Sequence, residues 1–273
     1  MKIICRAKIN LTLDVLDRRP DGYHNIDSVM QTVGLGDELF IERSEKISVD
    51  SSDENLCGEK NIAFAAAEEF FKHTKISGGA DIFIKKNIPV SAGIGGGSSD
   101  AAGVITALNE IYSVGLSKKE LCQIGLKVGA DVPFCIAGGT KRVQGIGEII
   151  SDVPQLDKGA FLVVKHGEKR STADMYRKLD LLEERKHSTE NMIKYLRTGD
   201  LLKIACGLSN SFEAVYKAND EKQLMLKTGA LGVCMSGSGP SVFGIYPDFE
   251  TAKKAEKILK EYGFFAAAAL PSP

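Results

Sequence analysis

Two domains, each mixing strands and helices, are what the sequence predicts, on three observations. Apolar residues alternate along the first strand, a glycine-rich turn joins a strand to a helix near residue 95, and a proline- and glycine-bounded break at 154–159 separates two runs of mixed strands and helices. At 273 residues the chain is long enough for two modest domains.

From Ile3 to Val15 every odd position is apolar: Ile3, Cys5, Ala7, Ile9, Leu11, Leu13 and Val15. This predicts a long strand with one buried face. The other face carries Arg6, Lys8, Asn10 and Thr12. Spacing alone favours solvent for it, because antiparallel sheets commonly wet one side, with a cleft as the alternative. Pro20, Asp21 and Gly22 then make a turn, followed directly by Tyr23 and His24. An aromatic beside an imidazole can stack on and hydrogen-bond a flat heterocycle, or simply pack at a strand start. Strands are predicted at 26–33, 38–43 and 47–49, divided by 34–37 and 44–46, then a helix at 61–72 and a strand at 80–86.

That strand delivers the chain to residues 89–102, PVSAGIGGGSSDAA, which run into a helix extending to about residue 111. Glycines let the backbone turn tightly and aim N–H groups inward, while the helix adds unpaired N–H groups and the positive end of its dipole. The arrangement suits an anion, most often phosphate, although a flexible surface loop would read the same from the glycines alone. A Walker A loop is excluded because Ser98 stands where its lysine should be, and a dinucleotide fingerprint because Ser98 takes the place of its third glycine.

Downstream, SKKE at 117–120 is a capping box opening a helix to about residue 128. Gly129 ends it, and Asp131 follows between Ala130 and Val132, ahead of Pro133. Asp131 is either a cap or turn former or a carboxylate in apolar surroundings that must find a partner. Strands at 141–144 and 148–152 lead to the break. The second half reads as a strand at 160–165, a helix capped by Ser171 and Asp174 that carries Tyr176, helical stretches at 190–197, 201–205 and 210–227, and strands at 232–235 and 242–246. The turn SGSGPS at 236–241 joins those last two strands; a hairpin explains it, and so would approach to a ligand. An amphipathic helix at 248–262, with Ala252, Ala255, Leu259 and Tyr262 on one face, precedes a last strand at 264–270.

Lys plus Arg is 35 and Asp plus Glu 36, a formal net charge of −1, so no general attraction to nucleic acid or to a membrane surface is expected. The six cysteines form no C-x-x-C pair and read as buried thiols in a reducing cytoplasm. No continuous apolar run reaches spanning length, and a cytoplasmic protein is expected.

Together, the first strand with Lys8 and Asn10, the 89–102 loop and helix, and the late SGSGPS turn resemble the GHMP kinases, the superfamily of galactokinase, homoserine kinase, mevalonate kinase and phosphomevalonate kinase. AKINLTLDV, PDGYH and GADVPF strengthen the likeness. The resemblance implies a two-domain α+β GHMP kinase fold with the active site in the cleft between domains. Residues 1–154 would carry the ATP loop and the catalytic pair, and 155–273 would form a ferredoxin-like domain on the substrate side. It implies Lys8 and Asp131 as the catalytic pair, which moves the polar strand face into a cleft. The ATP phosphates would be wrapped by Pro89, Val90, Ser91, Ala92, Gly93, Ile94, Gly95, Gly96, Gly97, Ser98 and Ser99, with Ser99 the contact to Mg²⁺. Asn61 and Lys86 would lie toward the adenosine end. The implied substrate is a small alcohol linked to cytidine diphosphate, its base held by Tyr23 and His24 with Tyr176 opposite, and its other contacts made by Thr172 and Asn10. Another small-alcohol kinase, or a non-catalytic nucleotide-binding regulator, is the alternative. The oligomeric state is not legible.

Overall fold

The structure, a computed structural model, describes residues 1–165, 167–168, 170–182, 187–216 and 219–273. Two compact units are present: unit 1 holds residues 1–7, 36–90 and 95–137, and unit 2 holds 8–35, 91–94 and 138–273. The break at 154–159 lies inside unit 2. Two long strands, β1 (Lys2–Arg18) and β2 (His24–Ser44), contribute to both.

In unit 1 the strand order is β3-β4-β2-β1, with β3 at Ser48–Ser51 and β4 at Gly79–Lys85. β2 and β4 pair antiparallel from Glu38 opposite Lys85 to Ser44 opposite Gly79. Four helices belong to this unit: α1 (Ile62–Thr74), α2 (Gly96–Ile111), α3 (Lys118–Val128) and α4 (Val132–Ala137). Ala63, Ala66, Ala67 and Phe70 of α1 and Ala101, Val104, Ile105 and Leu108 of α2 form one core with Leu39, Ile41, Ile82 and Ile84 of the sheet. Small side chains let α2 come close to the strands; a Cβ at Gly103 would overlap the Cys5 Sγ. The predicted capping box on α3 is formed by Ser117 and Glu120. α4 was not expected, but Pro133 in its first turn forfeits no helical hydrogen bond.

In unit 2, β5 (Thr140–Gly145) pairs with β2, β6 (Ile149–Asp152) with β5, and the short β8 (Ser209–Asn210) runs parallel to β1. A separate four-stranded sheet has the order β11-β7-β10-β9, from β7 (Ala160–Lys165), β9 (Gly232–Met235), β10 (Val242–Tyr246) and β11 (Phe265–Ala269). Numbered within this sheet the order is 4-1-3-2, the arrangement of a ferredoxin-like βαββαβ unit. Its helices include α5 (Thr172–Leu179), α6 (Thr189–Thr198), α7 (Leu201–Cys206), α8 (Asn219–Lys227) and α9 (Phe249–Glu261).

Four expectations need correction. The predicted break at 34–37 is absent, and β2 runs unbroken for 21 residues. Its glycines serve close approach instead of turning: a Cβ at Gly36 would lie 2.8 Å from Ile4 Cγ2, and the Gly34 N–H donates to the Leu270 carbonyl at 2.9 Å. The helix expected at 210–227 is divided, because Asn210 joins β8 and its side chain caps a 3₁₀ turn at Ser211–Ala214; residues 217 and 218 lie outside the described residues. Tyr262 is 68% exposed at the C-cap of α9, off its buried face. Of the cysteines only Cys5 and Cys234 are buried, and Cys57 and Cys206 are exposed. No described helix is long and apolar enough to cross a membrane.

One buried ionic cluster fixes the approaches to the glycine loop in unit 1. Lys86 Nζ donates to Asp37 Oδ2 at 2.5 Å and to Asp100 Oδ2 at 2.6 Å. Asp37 Oδ1 also accepts the N–H groups of Asn87 and Ile88 at 2.5 and 2.7 Å. Residues on both sides of the loop are thereby tied to β2. Two carboxylates share one ammonium, and Asp100 Oδ1 has no hydrogen-bond partner among the described residues. Burial raises the Asp100 pKa to about 7, opposed by Lys86 and reinforced by Asp37. A carboxyl whose folded pKa exceeds its unfolded value stabilises the fold when protonated, and that contribution is lost as pH rises toward the folded value. Urea unfolding of the wild type should therefore show stability falling between about pH 4 and pH 7 more steeply than in Asp100→Asn; equal slopes would contradict this account of the cluster.

Candidate active site

The polar face of β1 is buried. Lys8 is 4% exposed, Asn10 1% and Thr12 0%, so the solvent reading fails for these three, while Arg6 remains exposed. In unit 2 each has an identified partner. Lys8 Nζ donates to Asn10 Oδ1 at 3.0 Å, and the same oxygen accepts the Gly237 N–H at 3.1 Å. Asn10 Nδ2 donates to Ser28 Oγ at 2.9 Å, and the Thr12 and Thr189 hydroxyls lie 2.9 Å apart. A desolvated ammonium requires such dipoles around it, and Asn10 supplies one while linking it to the 236–241 turn. That turn is more than a hairpin connection.

Residues 91–94 of the glycine loop are held from behind within unit 2. The Ile94 carbonyl accepts the Lys8 N–H at 2.9 Å, the Ala92 carbonyl accepts the Ser241 N–H at 3.1 Å, and the Gly93 carbonyl accepts Ser236 Oγ at 3.1 Å. Glycine is required at 93: φ is 76°, and a Cβ there would lie 2.7 Å from the Gly239 carbonyl oxygen. Ala92 and Ile94 are buried, whereas Ser91 and Val90 are exposed.

In unit 1 the loop continues through Gly95, in the left-handed region at φ 74°, into the first turn of α2. No side chain caps that turn and no acid lies in it, so Gly96, Gly97 and Ser98 present N–H groups at the positive end of a 16-residue helix. This fits a phosphate group. Ser99 is buried, and its hydroxyl donates to the Arg6 carbonyl at 2.6 Å, which leaves oxygen lone pairs as its means of holding a cation. No cluster of three or more His, Cys, Asp or Glu suited to a metal occurs among the described residues. The single Ser99 oxygen at the start of α2 fits Mg²⁺ held mainly by substrate phosphates.

Asn61 and Lys86 have structural partners in the same unit. Asn61 caps α1, with Oδ1 accepting the Ala63 N–H at 2.8 Å and Nδ2 donating to the Leu56 carbonyl at 2.6 Å. The Lys86 ammonium is held by the two carboxylates described above, so a nucleotide contact from this residue would fall to its backbone or its methylenes. Asp131 precedes α4, is partly exposed, and its carbonyl accepts the Cys135 N–H at 3.1 Å.

Three of the remaining residues, His24, Thr172 and Tyr176, gather around α5 in unit 2. Ser171 caps the helix as expected, accepting the Asp174 N–H at 3.3 Å. Thr172 and Ser238 share a hydrogen bond of 2.8 Å between hydroxyls. Tyr176 stacks on His24, with centroids 4.6 Å apart and planes 15° from parallel, and meets Phe212 edge-on at 4.9 Å. His24 is buried, and its Nε2 lies 2.8 Å from Asp180 Oδ1, whereas Tyr23 is 62% exposed. The imidazole thus covers one face of the Tyr176 ring.

Sequence reasoning missed Asp37 and Asp100, which tie down the loop's approaches. It also missed Asn210, whose Nδ2 donates to the Met235 and Gly237 carbonyls, both at 2.8 Å, and Asp180. Asp100 directly follows the serines and Asp180 lies four residues beyond Tyr176, one helical turn; that spacing was the available signal for Asp180.

A model described as the GHMP kinases N terminal domain matches residues 61–139, and one described as GHMP kinases C terminal matches 192–264. The chain is 42% identical over 259 residues to a 4-diphosphocytidyl-2-C-methyl-D-erythritol kinase of Alkaliphilus metalliredigens, covering 92% of this chain and 89% of that protein. It is 43% identical over 271 residues to the protein of the same name from Caldicellulosiruptor bescii, covering 96% and 95%. A solved 4-(cytidine 5′-diphospho)-2C-methyl-D-erythritol kinase matches with a TM-score of 0.85 at 30% identity, covering 100% of each chain. Homoserine kinase from Cytophaga hutchinsonii shares the fold, with a TM-score of 0.76 at 19% identity over 100% of this chain and 94% of that one. The chain belongs to the GHMP kinases, in the branch of the 4-diphosphocytidyl-2-C-methyl-D-erythritol kinases.

Proposed function

We propose that this chain is a phosphotransferase that moves the γ-phosphate of ATP to the 2-hydroxyl of 4-(cytidine 5′-diphospho)-2-C-methyl-D-erythritol, a cytoplasmic step in making isoprenoid precursors. The observation that carries the reading is identity above 40% to kinases of this name along more than nine-tenths of the chain. The uncapped start of α2 supports it, as does the ring cluster of His24 and Tyr176.

Transfer of a phosphoryl group passes through a loose transition state, so the protein's work is alignment and neutralisation of charge. The first-turn N–H groups of α2 hold phosphate oxygens, and the glycine at 93 lets the loop keep its turn. Lys8, with its ammonium steadied by Asn10, stabilises charge that develops on the transferred group. Asp131 accepts the proton of the attacking hydroxyl or orients it. Bound Mg²⁺ would neutralise phosphate charge, with Ser99 the protein oxygen to hold it. Tyr23, His24, Tyr176, Thr172 and Asn10 serve the substrate side.

With purified protein and Mg²⁺·ATP, the cytidylyl substrate should be turned over while mevalonate and homoserine are not; the opposite pattern would overturn the substrate assignment. Asp131→Asn should lower kcat by about 10²- to 10⁴-fold with ATP binding retained, as measured by steady-state kinetics and nucleotide titration. Unchanged kcat would remove Asp131 from the chemistry.

A further inference from the structure

The glycine loop leaves β4 and enters α2 at one point in unit 1, and Asp37 stands there. The β2–β4 ladder ends with Glu38 opposite Lys85. One residue earlier on β2, the Asp37 side chain takes over from the ladder: Oδ1 accepts the N–H groups of Asn87 and Ile88, at 2.5 and 2.7 Å, where the chain turns off the strand. Oδ2 accepts Lys86 Nζ at 2.5 Å, and the carboxylate is fully buried. On the far side of the loop, a Cβ at Gly96 would lie 2.9 Å from Ile88 Cγ2 and 3.8 Å from Asp37 Oδ2, so the first residue of α2 rests against the same pair. The two ends of residues 89–95 therefore meet over one carboxylate, beside the first-turn N–H groups that suit a phosphate.

We propose that Asp37 is a positioning residue for the nucleotide: through the N–H groups of residues 87 and 88 it holds the loop closed before ATP arrives, so that the α2 cradle is already formed in the free protein. A glycine-rich segment loses much conformational freedom on ordering, and without an anchor that cost would fall on nucleotide binding. A carboxylate suits the task better than further backbone pairing, because one oxygen takes two successive N–H groups and its charge strengthens both bonds. The Lys86 ammonium offsets the burial of that charge. The cradle grips phosphate before and during transfer alike, so loss of the anchor raises KM for ATP and spares kcat. This inference rests on the phosphate role proposed above for the start of α2 and names what sets it in place.

The test compares wild type, Asp37→Asn and Asp37→Ala. Asp37→Asn retains an oxygen for both N–H groups and gives up only the Lys86 contact, with Asp100 still beside that lysine; Asp37→Ala loses the acceptor altogether. In calorimetric titrations with Mg²⁺·ATP and in steady-state kinetics, Asp37→Ala should weaken ATP binding and raise its KM by about 10-fold or more, with kcat and the KM of the alcohol substrate within about 3-fold of wild type. Asp37→Asn should recover most of that loss. A residue that only stabilised the fold would move both KM values together, or neither. Amide exchange in the nucleotide-free wild type, followed by NMR, needs no variant: the N–H groups of residues 87 and 88 should be protected. Rapid exchange there in the folded protein, equal losses in the two variants, or unaltered ATP binding in Asp37→Ala would overturn the role of Asp37 alone. A wild type that bound no ATP would overturn the phosphate role of α2 and this inference with it.

Discussion

A lysine buried to 4% exposure on a strand is the constraint around which unit 2 is arranged. An ammonium removed from water is stable only among oxygens that can take its protons. Asn10 provides one at 3.0 Å, and the same oxygen takes the Gly237 N–H. One amide therefore touches both the charge on β1 and the backbone of the 236–241 turn. The Lys8 backbone N–H meanwhile donates to the Ile94 carbonyl, so a single residue orders part of the glycine loop through its main chain and a site charge through its side chain.

Unit 1 meets a related demand by different means. There the buried ammonium is Lys86, shared by two carboxylates, and the cluster ties the residues before the glycine loop and the second turn of α2 to β2. An anion cradle depends on backbone N–H groups held in place, and a loop rich in glycine does not hold itself. Rigidity is supplied from outside the loop, by Asp37 and Asp100 here and by the carbonyl anchors of residues 91–94 in unit 2.

The regular elements were largely legible, because strict alternation and capping signals are local. The β1 pattern, the Ser117–Glu120 box and the Ser171 cap all formed as their residues dictate. What failed was decided by distant partners. Gly34 and Gly36 look like a turn in sequence but form a continuous strand, because a neighbouring backbone and Ile4 come close there. Asn210 sits in a helical-looking stretch yet is diverted to bond the carbonyls of residues 235 and 237. At the site, Lys8 and Asn10 lie on a face whose burial alternation alone could not decide; the family resemblance pointed to it. Asp37 and Asp180 carried no motif, and Asp100 stood in the glycine-loop motif without a role of its own, since their roles exist only once Lys86 and His24 are placed beside them.

The central claim is that the buried Lys8 charge acts on the phosphoryl group in flight and not merely on folding. Single-turnover quenched-flow with the nucleotide labelled in its γ-phosphate, comparing wild type with Lys8→Met at saturating substrates, measures that step directly. The account predicts transfer slowed by roughly 10²- to 10³-fold with the nucleotide still bound and the fold intact by circular dichroism. A transfer rate within a few-fold of wild type would contradict it.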